Sequence, residues 1–155
     1  MQDIRIRTAT PEDLDLLYQF EQGVIAAERP FDPTLKSDPV HYYNLQEMIA
    51  AAHIELVVAE TGNTIVGSGY ARIEQSKPYL QHEQYAYLGF MYVMPEYRGR
   101  GINQQIIAVL KKWVLAQNIT EIQLDVYFNN INAIKAYEKA GFSKHMVSMR
   151  LNAGA

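Results

Sequence analysis

The stretch whose residue types and spacing most directly imply chemistry is Val93-Met94-Pro95-Glu96-Tyr97-Arg98-Gly99-Arg100-Gly101-Ile102-Asn103. An apolar run ends at a proline turn. A short loop with paired glycines and arginines then opens into a segment of helical apolar spacing. Gly99 and Gly101 permit left-handed backbone conformations and close approach of the main chain to a ligand. The first N–H groups of a helix starting at Ile102 would point at that ligand, with the positive end of the helix dipole behind them. Such a site takes a phosphate or pyrophosphate. The Arg98 and Arg100 guanidinium groups could add charge-assisted hydrogen bonds, or be solvated turn residues. A dinucleotide fingerprint is excluded because Gln104 stands where its third glycine belongs, and a P-loop because Gly-Lys-Ser/Thr is absent.

Composition narrows the classes. A chain of 155 residues suits one domain, taken as residues 1–155, with a single core. A net charge of −3 argues against duplex binding, so no nucleic-acid partner is expected. The absence of cysteine excludes disulfides, thiolate metal sites and a cysteine nucleophile. His41, His53, His82 and His145 show no metal-ligand spacing, so no metal is assigned. There is no run of about 18 apolar residues, and Met1–Arg5 does not read as a signal peptide. The expectation is a cytoplasmic protein with no membrane partner.

Two motifs carry a resemblance. Arg98-x-x-Gly101-x-Asn103 fits the pattern Arg/Gln-x-x-Gly-x-Gly/Ala except at its last position. Downstream stands Asn130-x-x-Ala133-x-x-x-Tyr137-x-x-x-Gly141-Phe142. In this order they resemble the GNAT N-acetyltransferase superfamily, over nearly the whole chain. The resemblance implies transfer of an acetyl group from acetyl-CoA to a primary amine of a small molecule or peptide, by direct attack in a ternary complex. It implies that the pantetheine arm bonds to the backbone of Met91, Tyr92 and Val93. The pyrophosphate would sit on Arg98, Gly99, Arg100, Gly101, Ile102 and Asn103, where Asn103 narrows the space. Asn130 would contact the CoA arm, or serve only as a helix cap. Tyr137 would protonate the departing thiolate, though an aromatic there could also simply pack its helix. The family often places a carboxylate on or near its fourth strand, and Gln84–Pro95 has none inside the strand. Glu83, just before it, and Glu28, just after the first helix, are the candidate bases, with a water chain as the alternative; Glu96 reads as a surface residue. Tyr42, Tyr43, Tyr79, Tyr85, Tyr87 and Tyr92 cluster around the expected acceptor side and would suit an amine by cation–π contact, or be ordinary packing. A homodimer is allowed. The rival is a non-catalytic acyl-CoA-binding or sensing module, against which Tyr137 argues.

The elements that must position these residues follow from periodicity. Ile4–Arg7 reads as a strand. Thr10-Pro11-Glu12-Asp13 starts a helix with Leu16, Phe20 and Val24 as its stripe. Glu28–Pro39 is a loop, and His41–Ala52 a helix with Leu45, Met48 and Ile49 buried. Ile54–Glu60 and Thr64–Ile73 flank the turn Thr61-Gly62-Asn63. Gln75–Gln84 connects to a strand Tyr85–Val93, in which Gly89 marks a bulge or a close approach. Ile102, Ile106, Val109, Leu110 and Trp113 share one helical face. Ile122, Leu124 and Val126 alternate as a strand. A helix capped by Asn130 and ended by Gly141 precedes a final strand Ser143–Leu151 and a frayed tail Asn152–Ala155. The order β-α-α-β-β-β-α-β-α-β predicts an α+β fold: a mixed, mostly antiparallel central sheet with helices on both faces. The resemblance adds a splay between strands 4 and 5.

Overall fold

Alternation of apolar and polar residues builds a sheet whose strands follow chain order in space. The computed structural model describes residues 3–154; Met1, Gln2 and Ala155, the last in the expected tail, lie outside the described residues. Residues up to Asp125 form one compact unit and Val126–Ala155 a second. In the first, β1 (Arg5–Thr8), β2 (Ile54–Thr61), β3 (Thr64–Gln75), β4 (Gln84–Val93) and β5 (Ile122–Gln123) lie side by side in that order. All neighbours are antiparallel except β4 and β5. The β2–β3 hairpin turns at Gly62, whose φ of 59° is the left-handed conformation such turns require.

Helices cover both faces. On one, α1 (Leu14–Glu28) and α2 (Leu45–Ala50) bring Leu17, Phe20, Leu45 and Met48 onto Leu56, Val58, Tyr70 and Phe90. The buried face of α1 carries Leu17, Phe20, Glu21 and Ile25, so Leu16 and Val24 are its half-buried margin. α2 starts later than its sequence suggests because Asn44 caps it, its Oδ1 accepting the Glu47 N–H at 3.2 Å. On the other face, α3 (Ile102–Ala116) buries Ile102, Ile106, Ile107, Leu110 and Val114, with Val109 turned outward. It settles against β3, where a Cβ on Gly69 would stand 2.8 Å from Ile106 Cγ2.

β4 is the irregular strand. Between the pairs Ser68↔Tyr92 and Tyr70↔Gly89 it fits Phe90 and Met91 opposite Gly69 alone, a bulge. The positive φ of 55° falls on Phe90, not on Gly89. Gly89 is glycine for another reason: a Cβ there would stand 2.5 Å from Cζ of the buried Tyr70. On its far side β4 pairs with β5 only at Ala86↔Ile122 and Tyr87↔Gln123. From Leu88 onward that edge has no strand partner among the described residues, which is the splay expected between strands 4 and 5.

In the second unit, α4 (Ile131–Lys139) begins at Asn130, whose Oδ1 accepts the Ala133 N–H at 3.3 Å. It ends at Gly141, φ 105°, where the Phe142 N–H bonds to the Tyr137 carbonyl at 3.0 Å. The expected final strand is not formed. Ser143–Leu151 joins no sheet, and Met146, Val147, Met149 and Leu151 are exposed. Its composition favours an extended chain, but a strand is stable only with a neighbour to pair and a face to pack on. The expected run Ile122–Val126 is likewise shortened, to Ile122–Gln123.

Candidate active site

The glycine loop leaves β4 through a single 3₁₀ turn at Pro95–Tyr97. Gly99 and Gly101 have φ of 76° and 77°, and a Cβ on either would meet nothing within 4 Å. These glycines therefore serve conformation, and the space in front of the loop is open. Gly101 is the cap residue of α3 and has no side chain to satisfy the first-turn N–H groups, and that turn carries no acid. Arg98 folds back: its Nε donates to the Val93 carbonyl at 2.9 Å and its guanidinium lies over the Tyr92 ring at 5.6 Å. Arg100 lies over Tyr97 at 5.1 Å. Each arginine is stacked on a ring and still exposed beside the loop.

Along β4 the candidate backbone positions differ in where their side chains go. Tyr92 packs 4.8 Å from Phe20 on the α1 face, over Gly23. Met91 points to the α3 face, beside Gly69. The Phe90 carbonyl accepts from buried Ser68 Oγ at 3.0 Å, fixing the bulge. The unpartnered edge beyond Leu88 can bond an extended ligand chain as a further strand would.

Aromatic rings collect on the α1 face. Tyr43 lies 4.9 Å from Phe90 and 5.9 Å from Tyr70, and Tyr70 lies 6.5 Å from Tyr87. Burial first, then neighbouring groups, raises the Tyr43 phenol far above its ordinary range. Burial also raises Tyr70, and burial followed by the Asp125 charge raises Tyr87. All three stay neutral donors at pH 7, not bases. Arg72 lies over Tyr70 and Tyr87 at 5.4 and 5.3 Å and is paired with Glu74. Tyr87 donates to Asp125 Oδ2 at 3.1 Å. Tyr79 stands apart, 77% exposed.

The candidate carboxylates part company. Half-buried Glu28 ends α1 close enough to Tyr43 for its charge to help raise that phenol. Glu83 precedes β4, six residues from Gly89 and so roughly 20 Å along the strand. There it lines a cavity of about 280 Å³ with His82, Gln84 and Asn118. Sequence reasoning missed Glu21, which is fully buried. Its Oε2 accepts the Tyr42 and Tyr43 N–H groups at 2.9 and 2.8 Å, and its Oε1 lies 3.0 Å from His41 Nδ1. It thus pins the segment that carries Tyr43 onto Phe90, and His41 and Tyr43 line an open pocket of about 560 Å³ with Tyr18 and Asn44. A signal existed: Glu21 falls between Leu17 and Ile25 at four-residue steps, a carboxylate on an apolar face. In the second unit Asn130 acts as the α4 cap, while Tyr137 is half-buried and meets Phe142 edge-on at 5.9 Å.

A family description, the Acetyltransferase (GNAT) family, matches residues 22–142. The chain belongs to that family. This acetyltransferase is 23% identical over 142 residues to the aminoglycoside N(6')-acetyltransferase type 1 of Stenotrophomonas maltophilia, covering 90% of this chain and 86% of the relative. Among solved structures it resembles a predicted acetyltransferase with acetyl-CoA from Clostridium acetobutylicum. The TM-score is 0.78 at 22% identity, over 97% of this chain and 96% of that one. It also resembles AAC(6')-Iy in complex with a bisubstrate analog, CoA-S-monomethyl-acetylneamine. There the TM-score is 0.73 at 19% identity, over 97% of this chain and 99% of that one. These structural likenesses establish the shared fold.

Proposed function

We propose that this acetyltransferase moves an acetyl group from acetyl-CoA to a primary amine of a small molecule or peptide, by direct attack in a ternary complex. The observation that carries the reading is the unpartnered edge of β4, which runs past the bulge into an open glycine loop and an uncapped helix N-terminus. The edge offers main-chain bonds from Met91 and Val93 to a pantetheine arm, while the Tyr92 carbonyl is turned toward Gly67 on β3. The loop Arg98–Asn103 offers N–H groups, dipole and cationic flanks to a pyrophosphate. Asn130 contributes a contact to the CoA arm beyond its capping bond, and the Tyr137 hydroxyl protonates the leaving thiolate. Most of the acceleration then comes from holding the amine against the thioester carbonyl.

A cationic acceptor of amino-sugar type fits the α1 face. Glu28 attracts the ammonium, and the Tyr43 ring, backed by buried Phe90, forms its apolar wall. The aminoglycoside enzymes among the relatives support the same substrate class. Glu83, at the other end of β4, has no direct part in this arrangement. Thiol release from acetyl-CoA across a panel of primary amines, aminoglycosides included, tests the proposal. Amine-dependent release is expected; release no faster than with acetyl-CoA alone across the panel overturns it.

A further inference from the structure

A carboxyl group inside an apolar helix face costs free energy unless something pairs it, so its partners show what it is there to hold. Glu21 stands on the buried face of α1 between Leu17 and Ile25, and is 0% exposed. Its bonds run to residues 41–43: Oε2 accepts the Tyr42 and Tyr43 N–H groups at 2.9 and 2.8 Å, and Oε1 lies 3.0 Å from His41 Nδ1. Successive N–H groups of an extended chain point to opposite sides. Two that converge on one oxygen fix the backbone between them in a turn. That turn aims Tyr43, whose ring lies 4.9 Å from Phe90 on the β4 bulge, 5.9 Å from Tyr70 and 5.7 Å edge-on from Tyr42. The rest of the connection from α1 to α2 is tied at exposed positions. Arg29 Nη1 donates to the Lys36 carbonyl at 2.8 Å, Arg29 Nη2 to Asp38 Oδ1 at 2.7 Å, and Gln22 Nε2 to the Val40 carbonyl at 2.9 Å.

We propose that Glu21 is a positioning residue of the acceptor site: from inside the core it holds the turn that presents the Tyr43 ring to the amine. The inference rests on the acetyl-transfer reading, in which that ring walls the acceptor beside Glu28. Glu21 itself touches no substrate, because it is fully buried and its oxygens face residues 41–43. What it supplies is preorganisation, since a wall already set does not have to be ordered when the acceptor binds. It also satisfies two main-chain donors that would otherwise lie unpaired beneath the ring. The consequence falls on acceptors long enough to lie along Tyr43, such as a two-ring amino sugar. It spares a short amine that reaches only the thioester, and it spares the donor, which the loop Arg98–Asn103 and the open edge of β4 hold.

Glu21→Gln keeps the shape and exchanges charge-assisted bonds for weaker neutral ones. With acetyl-CoA as donor, its KM for neamine should rise about tenfold. Its KM for ethanolamine and its acetyl-CoA affinity by calorimetric titration should stay within about twofold of wild type. Tyr43→Ala should raise the neamine KM as well, and adding Glu21→Gln to it should raise it no further, because both changes remove the same wall. Amide exchange at Tyr42 and Tyr43 should quicken in Glu21→Gln while β4 keeps its protection, a readout that needs no turnover. If Glu21→Gln does not fold, His41→Ala carries the test from an exposed position, with an expected neamine KM about threefold above wild type. An unchanged neamine KM, equal losses with neamine and ethanolamine, full additivity with Tyr43→Ala, or unchanged exchange at residues 42 and 43 would each overturn the assignment. Wild type that releases thiol with neither amine is a different result: it overturns the acetyl-transfer reading, and the assignment falls with it.

Discussion

Gly101 sits at φ 77° with open space where its Cβ would be, so a side chain there disturbs little besides the backbone conformation and an incoming ligand. Gly101→Val places a β-branched residue where such residues are rarely tolerated and puts methyl groups at the pyrophosphate position. Acetyl-CoA affinity should drop at least tenfold, about 1.4 kcal/mol, by calorimetric titration of folded proteins. Equal affinity would remove the loop from donor binding. Tyr137 is separable in a different way, since Tyr137→Phe keeps the ring that meets Phe142 and deletes only the hydroxyl. Its kcat should fall by about 100-fold with acetyl-CoA affinity little changed. Steady-state kinetics matching wild type would take the hydroxyl out of the chemistry.

At the scale of elements, β4 depends on an interlock between a glycine and a buried phenol. Gly89→Ala would drive a methyl group into the ring of Tyr70, which is 3% exposed. Overpacking of this kind should cost about 1–3 kcal/mol, read as a lower urea midpoint at unchanged slope. An unchanged midpoint would mean that the strand relaxes freely. The start of α1 is tied to the sheet by a charge pair. Arg7 on β1 holds both Asp13 oxygens, at 2.9 and 3.0 Å, and Asp13 also accepts the Thr10 N–H at 2.8 Å. The Arg7 hydrogen bonds, chiefly, hold the Asp13 carboxyl below its ordinary range, with the Thr10 bond adding to them. A carboxylate depressed in the folded state stabilises the fold above its unfolded-state pKa of about 3.9 and loses that contribution as pH falls through the folded value. Asp13→Asn should therefore cost about 1–3 kcal/mol at pH 7. The gap from wild type should close below about pH 4 in denaturant titrations run across pH. A gap that does not depend on pH would assign the loss to packing.

The whole molecule should register its donor as stability. A ligand at a hundred times its Kd adds about 2.7 kcal/mol to the state that binds it. In a domain of this size that is a rise of about 5–10 °C in thermal midpoint. The transition to follow is that of the unit reaching to Asp125, which carries the loop and the open edge of β4. Scanning fluorimetry with increasing acetyl-CoA should show the rise in wild type and a much smaller one in Gly101→Val. A midpoint indifferent to acetyl-CoA would contradict the proposed cosubstrate.

What could be read from the chain alone was local. The turn at Gly62, the left-handed loop glycines, the Asn130 cap and the Gly141 helix end each depend on bonds within a few residues, and all stand as their spacing implied. Apolar periodicity likewise placed the main strands of the sheet and its covering helices, because burial of one face is a property of a single segment. The tertiary structure decided what depends on register and on contacts between distant residues. Phe90 rather than Gly89 takes the positive φ, because the bulge is set by how β4 pairs with β3. Asp125 meets Tyr87 across 38 residues, and Glu21 meets Tyr42 and Tyr43 across 21 and 22. Ser143–Leu151 has the composition of a strand without the neighbour that would make it one. No single segment encodes its partner, since pairing energy belongs to two elements brought together by the fold. For that reason the loop was legible in the residues, and the partners of Glu21 and Asp125 came into view only through the structure.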